Sequence, residues 1–248
     1  MKGRRMRILF LLLAAGVLLF GSEAEEIIKK VEDNLRGRDV HVKMKMLITS
    51  ERGERTVEIE SWSVGKKKGF MKILYPPKDQ GITFLKLDQQ LWQYVPKIER
   101  TVKIPPSMML QSWMGSDFTN DDMVKESSIS DDYDAKLLKK EGSSVTIALT
   151  PKPDAAVVWG KIVTEIDTQT YTQVHDVFYD DFGAEVREMH YGEVRTFNGH
   201  HVPTVMRIKP LEKGKEKNET KVILSDVVYD KGIEESYFTK QALKRYSR

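Results

Sequence analysis

The sequence predicts a mainly β (α+β) protein that folds as a single domain. After residue 37, almost every segment alternates apolar and polar residues, a period of two that is typical of strands with one buried face. In 41–48, for example, every second residue is apolar. Turn signals such as Glu141-Gly142 and Asn198-Gly199 separate the segments. Many antiparallel strands at regular spacing predict one sandwich or barrel-like domain.

The first 24 residues have the order of a secretory signal peptide. Four basic residues precede the apolar run 8–20, and Ser22-Glu23-Ala24 is a small-x-small cleavage site. The run is too short to span a bilayer, which needs about 20 residues. We therefore expect residues 1–24 to be a signal peptide cleaved near Ala24, and 25–248 to be one exported domain. An uncleaved N-terminal anchor is the alternative.

Charge and cysteine content narrow the classes of protein. Removing four of the 40 basic residues and one of the 37 acidic residues with the signal peptide leaves 36 of each. A balanced chain gives no reason to expect a nucleic-acid partner. The chain has no cysteine, so no residue is available for bacterial lipoprotein acylation. We therefore expect a protein that is soluble once the signal peptide is cleaved.

The elements follow in order from the N-terminus of the mature chain. Four aliphatic residues fall on one face of 25–36, which predicts a helix that Gly37 can end. Strands are then predicted over 41–48, 56–64, 68–75, 82–87, 90–95, 98–104, 134–140, 144–150, 157–166, 171–179, 184–191, 193–197, 202–209 and 220–229. The charged segment 213–220 is a hairpin tip, and 235–245 is at most a short amphipathic helix.

Two segments depart from regular alternation. The apolar residues Val57 and Ile59 are one residue out of phase with Trp62 and Val64, which predicts a β-bulge that bends the sheet. After Pro105-Pro106, a serine can cap a helix over 107–114. Its apolar residues point in several directions, as expected for a helix lying in the mouth of a concave sheet.

The segment 81–123 carries a family resemblance. The run LWQYVPKIERTVKI (91–104), followed by MGSDFTNDD (114–122), resembles the LolA-like outer membrane lipoprotein-sorting proteins of bacteria. This resemblance implies a strongly curved antiparallel sheet, an unclosed half-barrel, with short helices covering its concave side. It also implies a carrier of lipidated proteins, or of another acyl-chain ligand, across the periplasm. An inner-membrane donor and an outer-membrane acceptor are the implied partners, and we expect a monomer.

Large apolar side chains in and beside this segment are the candidate ligand-binding residues. Methionine is flexible enough to fit varied acyl chains. The alternative for each residue is ordinary core packing. The expected cavity and lid consist of Met71, Ile73, Phe84, Leu85, Trp92, Tyr94, Met108, Met109, Leu110, Trp113, Met114 and Phe118. Arg100 and Lys103 are the expected contacts for an anionic headgroup or an acidic partner, with a solvated strand face as the alternative.

Sequence signals for catalysis and metal binding are missing. The acidic turn 115–122 lacks the spacing and terminal Glu of an EF-hand, and we expect Asp117 and Thr119 to bond their own backbone and hold the preceding helix. The five histidines show no known ligand spacing. No GxSxG is present, and Asp181-Phe182-Gly183 lacks the other kinase motifs. We expect no enzyme, no metal and no cofactor.

The sequence therefore predicts a periplasmic carrier that binds acyl chains in a concave apolar cavity and delivers them toward the outer membrane. The first alternative is an envelope-stress sensor or regulator that binds a protein or lipid partner without transport. The second is an enzyme acting on lipid or glycan, which would show turnover of labelled acyl substrates.

Overall fold

The computed structural model describes residues 23–125 and 129–248. Most of the predicted signal peptide, residues 1–22, lies outside the described residues. Within them are thirteen strands: β1 (Asp39–Ser50), β2 (Gly53–Val64), β3 (Lys68–Tyr75), β4 (Thr83–Leu87), β5 (Gln90–Val95), β6 (Arg100–Lys103), β7 (Tyr133–Glu141), β8 (Ser144–Pro151), β9 (Lys161–Asp167), β10 (Thr172–Tyr179), β11 (Glu185–Phe197), β12 (His200–Pro210) and β13 (Glu219–Tyr229).

All of these strands belong to one antiparallel sheet, in the order β6-β5-β4-β3-β2-β1-β13-β12-β11-β10-β9-β8-β7. The sheet is not closed into a barrel, because β6 and β7 remain its two edges. Met71 on β3 and Gln173 on β10 nevertheless line the same cavity. Six strand spacings separate them, about 28 Å in a flat sheet. The sheet must therefore curve strongly, and the predicted fold class is confirmed.

Four helices accompany the sheet in the described ranges. α1 (23–36) is long, whereas α2 (Asp122–Lys125), α3 (Ile129–Asp132) and α4 (Lys240–Arg245) are short. The apolar face of α1, which includes Ile27, Ile28 and Val31, is buried in the main core on the concave side of the sheet. Thr239 caps α4, since its hydroxyl accepts a hydrogen bond from the Ala242 amide at 3.2 Å.

The predicted strands agree closely with the observed ones. The two strands predicted separately over 184–191 and 193–197 form the single strand β11. The helix predicted over 107–114 was wrong. This segment begins in a 3₁₀ turn, Pro106–Met108, and continues as turns and bends. Its apolar residues point in several directions because it is an irregular loop that folds back on itself.

The bulge predicted between Ile59 and Trp62 was also wrong. β2 pairs with β1 without interruption over its whole length. Ile59 is buried on the concave face, whereas Trp62 lies on the convex face and stacks on Tyr237 with ring centres 4.7 Å apart. The change of apolar phase marks the point at which the convex face becomes covered. A register shift does occur against β3, at Glu58 and Ile59.

The C-terminal segment makes that cover. Residues 231–248 cross the convex face of β2 to β5 and form a second, smaller core with it. Leu243 is fully buried there, and the Thr83 hydroxyl donates to the Leu243 carbonyl at 2.7 Å. We call this cluster the convex core; its buried members are Phe70, Leu85, Trp92, Tyr94, Phe238, Ala242 and Leu243.

Candidate ligand cavity

A cavity of about 250 Å³ lies on the concave side of the sheet, between the sheet and α1. Its floor is formed by the central strands β1, β2, β12 and β13 with part of β3. Most of its walls are apolar. The residues that line the cavity are Leu35, Val40, Val42, Met44, Met46, Ser61, Ser63, Gly65, Gly69, Met71, Trp113, Phe118, Met123, Gln173, Tyr191, Val202, Pro203, Met206, Val222, Leu224, Val227 and Tyr229, with the charged residues Glu32, Arg36, Lys68 and Lys86.

Methionine is unusually frequent in this wall. Met44, Met46, Met71, Met123 and Met206 all line the cavity, out of 11 methionines in the chain. The alternation of β1 places the first two on the concave face. Methionine side chains are unbranched and polarizable, so they can rearrange around different apolar ligands. The cavity wall is therefore adaptable as well as apolar.

α1 closes one side of the cavity with charged side chains. Glu32 is only 4% exposed. It accepts a hydrogen bond from the Ser130 amide at 2.7 Å and lies 3.4 Å from the Lys66 ammonium group. Arg36 pairs with Asp33, and its Nη1 is buried without a hydrogen-bond partner among the described residues. This side of the cavity offers polar groups to a ligand that the sheet floor does not.

The loop over 105–121 forms the opposite wall. Trp113 is 2% exposed, lines the cavity and packs against Phe84 with ring centres 5.2 Å apart. Its indole Nε1 has no hydrogen-bond partner in the described part of the chain. The loop is held in a folded-back shape by internal bonds. The Asn120 side chain donates to the Met108 carbonyl at 2.9 Å, and the Trp113 amide donates to the Phe118 carbonyl at 2.8 Å.

A buried ion pair anchors the end of this loop to the sheet. Arg187 on β11 is 4% exposed and makes two hydrogen bonds of 2.7 Å with the carboxylate of Asp122. Its guanidinium also lies 4.3 Å from the ring centre of Trp159 and 4.0 Å from that of Phe178. Burial opposes ionisation of Asp122, but the Arg187 charge and the hydrogen bonds from Arg187 and Thr119 together outweigh it and lower the pKa of Asp122.

In the acidic turn 115–122, Thr119 and Asp117, which were both predicted to bond locally, have different hydrogen-bond partners. Thr119 bonds locally, since its amide and hydroxyl donate to Asp122 at 2.7 and 2.9 Å. Asp117 instead accepts a hydrogen bond from the Thr220 hydroxyl on β13 at 2.7 Å. The turn thus attaches the loop to strands far away in the sequence. Sequence analysis missed Arg187 because nothing local marks its partner 65 residues earlier.

Asp121, beside this pair, is also buried, at 5% exposure. Burial, followed by repulsion from the Asp122 carboxylate, raises the pKa of Asp121 to about 7. Its amide donates to the Met109 carbonyl at 3.1 Å, so it belongs to the hydrogen-bonded frame of the loop. Ionisation of Asp121 therefore opposes the folded arrangement of the cavity wall.

The predicted ligand residues divide into four groups. Met71, Trp113 and Phe118 line the cavity. Ile73, Phe84, Met108, Met109 and Met114 belong to or pack against the same concave core without lining the cavity. Leu85, Trp92 and Tyr94 lie on the other face, in the convex core, and Leu110 is 61% exposed. The sequence could not separate these groups, because an apolar strand residue looks the same on either covered face.

The two predicted headgroup contacts lie at an edge of the sheet. Arg100 and Lys103 are exposed on β6. The Lys103 ammonium group is 5.7 Å from the ring centre of Trp92, and that of Lys240 on α4 is 4.8 Å from the same centre. This edge therefore presents a basic surface, separate from the cavity.

Comparison with solved structures defines the class of fold. A DUF1329 family protein from Desulfovibrio piger is 20% identical, with a TM-score of 0.82 over 90% of this chain and 99% of that one. An outer membrane lipoprotein-sorting protein domain from Vibrio parahaemolyticus is 21% identical, with a TM-score of 0.80 over 91% and 100%. A LolA superfamily protein from Nitrosomonas europaea is 16% identical, with a TM-score of 0.74 over 88% and 98%. The fold is that of LolA-like proteins, as the sequence motifs indicated.

A family model described as "Uncharacterized protein" matches residues 65–245, well over half of the chain, and the chain belongs to this family. No curated protein matches the chain. Among the residues that the structure describes, no helix combines the length and apolar character needed to cross a bilayer.

Proposed function

We propose that this protein is a periplasmic carrier that binds acyl chains of lipoproteins, or another lipophilic ligand, in the concave cavity and delivers them toward the outer membrane. The observation that carries the proposal is the methionine-rich apolar cavity between the sheet and α1. The fold shared with a lipoprotein-sorting domain and a LolA superfamily protein supports it. Cleavage near Ala24 would free the protein from the inner membrane.

Burial of apolar surface supplies the binding energy, about 0.8 kcal/mol for each methylene removed from water. The cavity of about 250 Å³ is close to the lower end of ligand pockets, which measure about 300–1,000 Å³. Rearrangement of the methionine side chains enlarges it at low cost, because methionine has three rotatable bonds. The ligand is therefore expected to enlarge the space as it enters.

Two buried hydrogen-bond donors without partners indicate which polar groups the ligand carries in addition to its acyl chain. The Nε1 of Trp113 and the Nη1 of Arg36 belong to cavity-lining residues and lack partners among the described residues. A buried donor without a partner costs about 1–3 kcal/mol. A ligand with ester, amide or carboxylate oxygens would satisfy such donors, whereas a plain hydrocarbon would not. Acyl groups with a carbonyl are thus the favoured class.

Release of the ligand depends on the loop over 105–121, which forms one wall of the cavity. The loop over 105–121 is attached by the packing of Trp113 on Phe84 and by polar contacts, chiefly Arg187 with Asp122 and Asp117 with Thr220. Such contacts can open without disrupting the sheet core. We propose that donor and acceptor proteins shift the position of this loop, and that Arg100 and Lys103 meet an acidic partner surface or lipid headgroup. We propose that the ligand is released chemically unchanged.

A matched pair of β13 variants tests the cavity. Val227 lines it, whereas Val228 is 39% exposed on the other face, opposite His41. Val227→Asp places a charge in an apolar wall, which is very costly, and should weaken binding of a fluorescent fatty acid or lipopeptide at least tenfold. Val228→Asp should bind like the wild type.

Equal binding by both variants, with both folded, would exclude the cavity as the ligand site. Absence of binding by the wild-type protein to any amphiphile would favour the protein-binding regulator instead. Native mass spectrometry of protein taken from its own periplasm identifies the bound ligand.

A further inference from the structure

Three potential metal ligands meet on the outer face of β10 and β11, away from the cavity. His175 and His190 are directly opposite each other in the register of the two strands. Glu188 precedes His190 by two residues and therefore lies on the same face. The intervening core residues Asp176 and Met189 are buried. The imidazole rings stack with centres 4.3 Å apart.

The distances between these side chains match a metal site. The Glu188 carboxylate oxygen is 3.4 Å from Nε2 of His175 and 3.5 Å from Nε2 of His190, and one ligand atom from each residue lies within 4.8 Å of the others. Zinc binds imidazole nitrogen and carboxylate oxygen at about 2.0–2.2 Å, so two ligands of a tetrahedral ion are separated by about 3.4 Å. The two distances from the Glu188 oxygen to the histidine nitrogens therefore match two edges of such a tetrahedron.

The surroundings allow an ion to enter and remain. His190 is 53% exposed on its side chain, which leaves a path and a position for a water ligand. Glu165 on β9 is paired with His175 in the register and adds a second carboxylate nearby. Arg207, opposite His190 on β12, is paired with Glu219 at 3.1 Å. The cluster therefore keeps a negative carboxylate between two imidazoles.

We propose that His175, Glu188 and His190 bind a divalent transition-metal ion of the zinc class, which clamps β10 to β11. Two imidazoles and one carboxylate suit zinc better than calcium or magnesium, which prefer all-oxygen sites. Within residues 23–125 and 129–248, no other group of three such ligands comes together. Sequence analysis missed it because His175 lies 13 residues before Glu188 and the strand pairing alone brings them together.

The alternative is a hydrogen-bonded His–Glu cluster without a metal. His41 provides the matched control, since it contacts Glu60 at 2.9 Å across β1 and β2 but has no second histidine in a comparable group. Isothermal titration of the metal-free mature protein with Zn²⁺ should give one ion per chain with micromolar affinity. His175→Ala and His190→Ala should each weaken it at least tenfold, and Glu188→Gln should also weaken it.

His41→Ala should bind Zn²⁺ like the wild type, and Mg²⁺ should not bind. Zn²⁺ should raise the melting temperature of the wild type but not of His190→Ala, whose exposed position leaves folding intact. Absence of Zn²⁺ binding at 1 mM, or unchanged binding after the double substitution of His175 and His190, would overturn the proposal. Val227→Asp should not alter it, so this test is independent of the carrier function.

Discussion

The concave and convex faces of the sheet bury apolar residues in different ways. On the convex face of β2 to β5, the C-terminal segment packs directly on the sheet, with Phe238 and Leu243 in one buried cluster with Phe70 and Leu85. On the concave face, α1 and the loop over 105–121 cover the sheet but leave about 250 Å³ unfilled. The difference teaches that an apolar surface of the sheet indicates a ligand-binding site only where no other segment of the chain packs fully against it.

The largest effect is expected from breaking the anchor of the concave loop. Arg187→Ala leaves the Asp122 carboxylate buried and unpaired, which costs about 3–5 kcal/mol of unfolding free energy. Arg207→Ala is the matched control, because its pair with Glu219 is exposed and is expected to contribute less than about 1 kcal/mol. Urea denaturation measures both. Equal losses would show that the Arg187 pair does not hold the loop.

The convex core should affect stability without affecting the ligand. Leu243 is fully buried there, and Leu243→Ala should cost about 2–5 kcal/mol because it leaves a cavity. The affinity for a fluorescent fatty acid, measured well below the melting temperature, should stay within about twofold of the wild type. A large loss of affinity in the folded variant would mean that the two faces are coupled.

A third effect concerns the pH dependence of the concave loop. The pKa of Asp121 is raised from 3.8 to about 7, so the folded protein keeps a proton that the unfolded chain loses. This contribution is full below about pH 4 and is lost as pH rises through 7. Relative to Asp121→Asn, the wild type should lose on the order of 4 kcal/mol between pH 4 and pH 8, because each unit of pKa shift corresponds to about 1.4 kcal/mol. A difference in unfolding free energy that does not change with pH would contradict the buried, protonated state.

The fold was largely predictable because period-two alternation and turn residues are local signals. β3 and β5 have the predicted limits. Which segments of the chain pack against each face of the sheet was not predictable. Trp62 was assigned to a bulge because its partner Tyr237 is 175 residues away, and the loop at 107–114 was assigned to a helix because its apolar content resembled one.

The cavity itself was predicted only in part. Trp113 and Phe118 were identified from the family-like segment, whereas Met44 and Met206 line the cavity from strands distant in the sequence. Arg187 was missed for the same reason, since its role depends on tertiary contact with Asp122. Long-range contacts decide which apolar residues form a cavity and which form a closed core.

Quenching of tryptophan fluorescence by a brominated fatty acid tests the central claim most directly. Trp113 lines the concave cavity, whereas Trp92 lies in the convex core. The sequence alone predicted that both would report binding; the structure predicts a response from Trp113 only. Saturable quenching should therefore persist in Trp92→Phe and be largely lost in Trp113→Phe. Quenching that disappears in Trp92→Phe and persists in Trp113→Phe would place the ligand on the convex face and contradict the account.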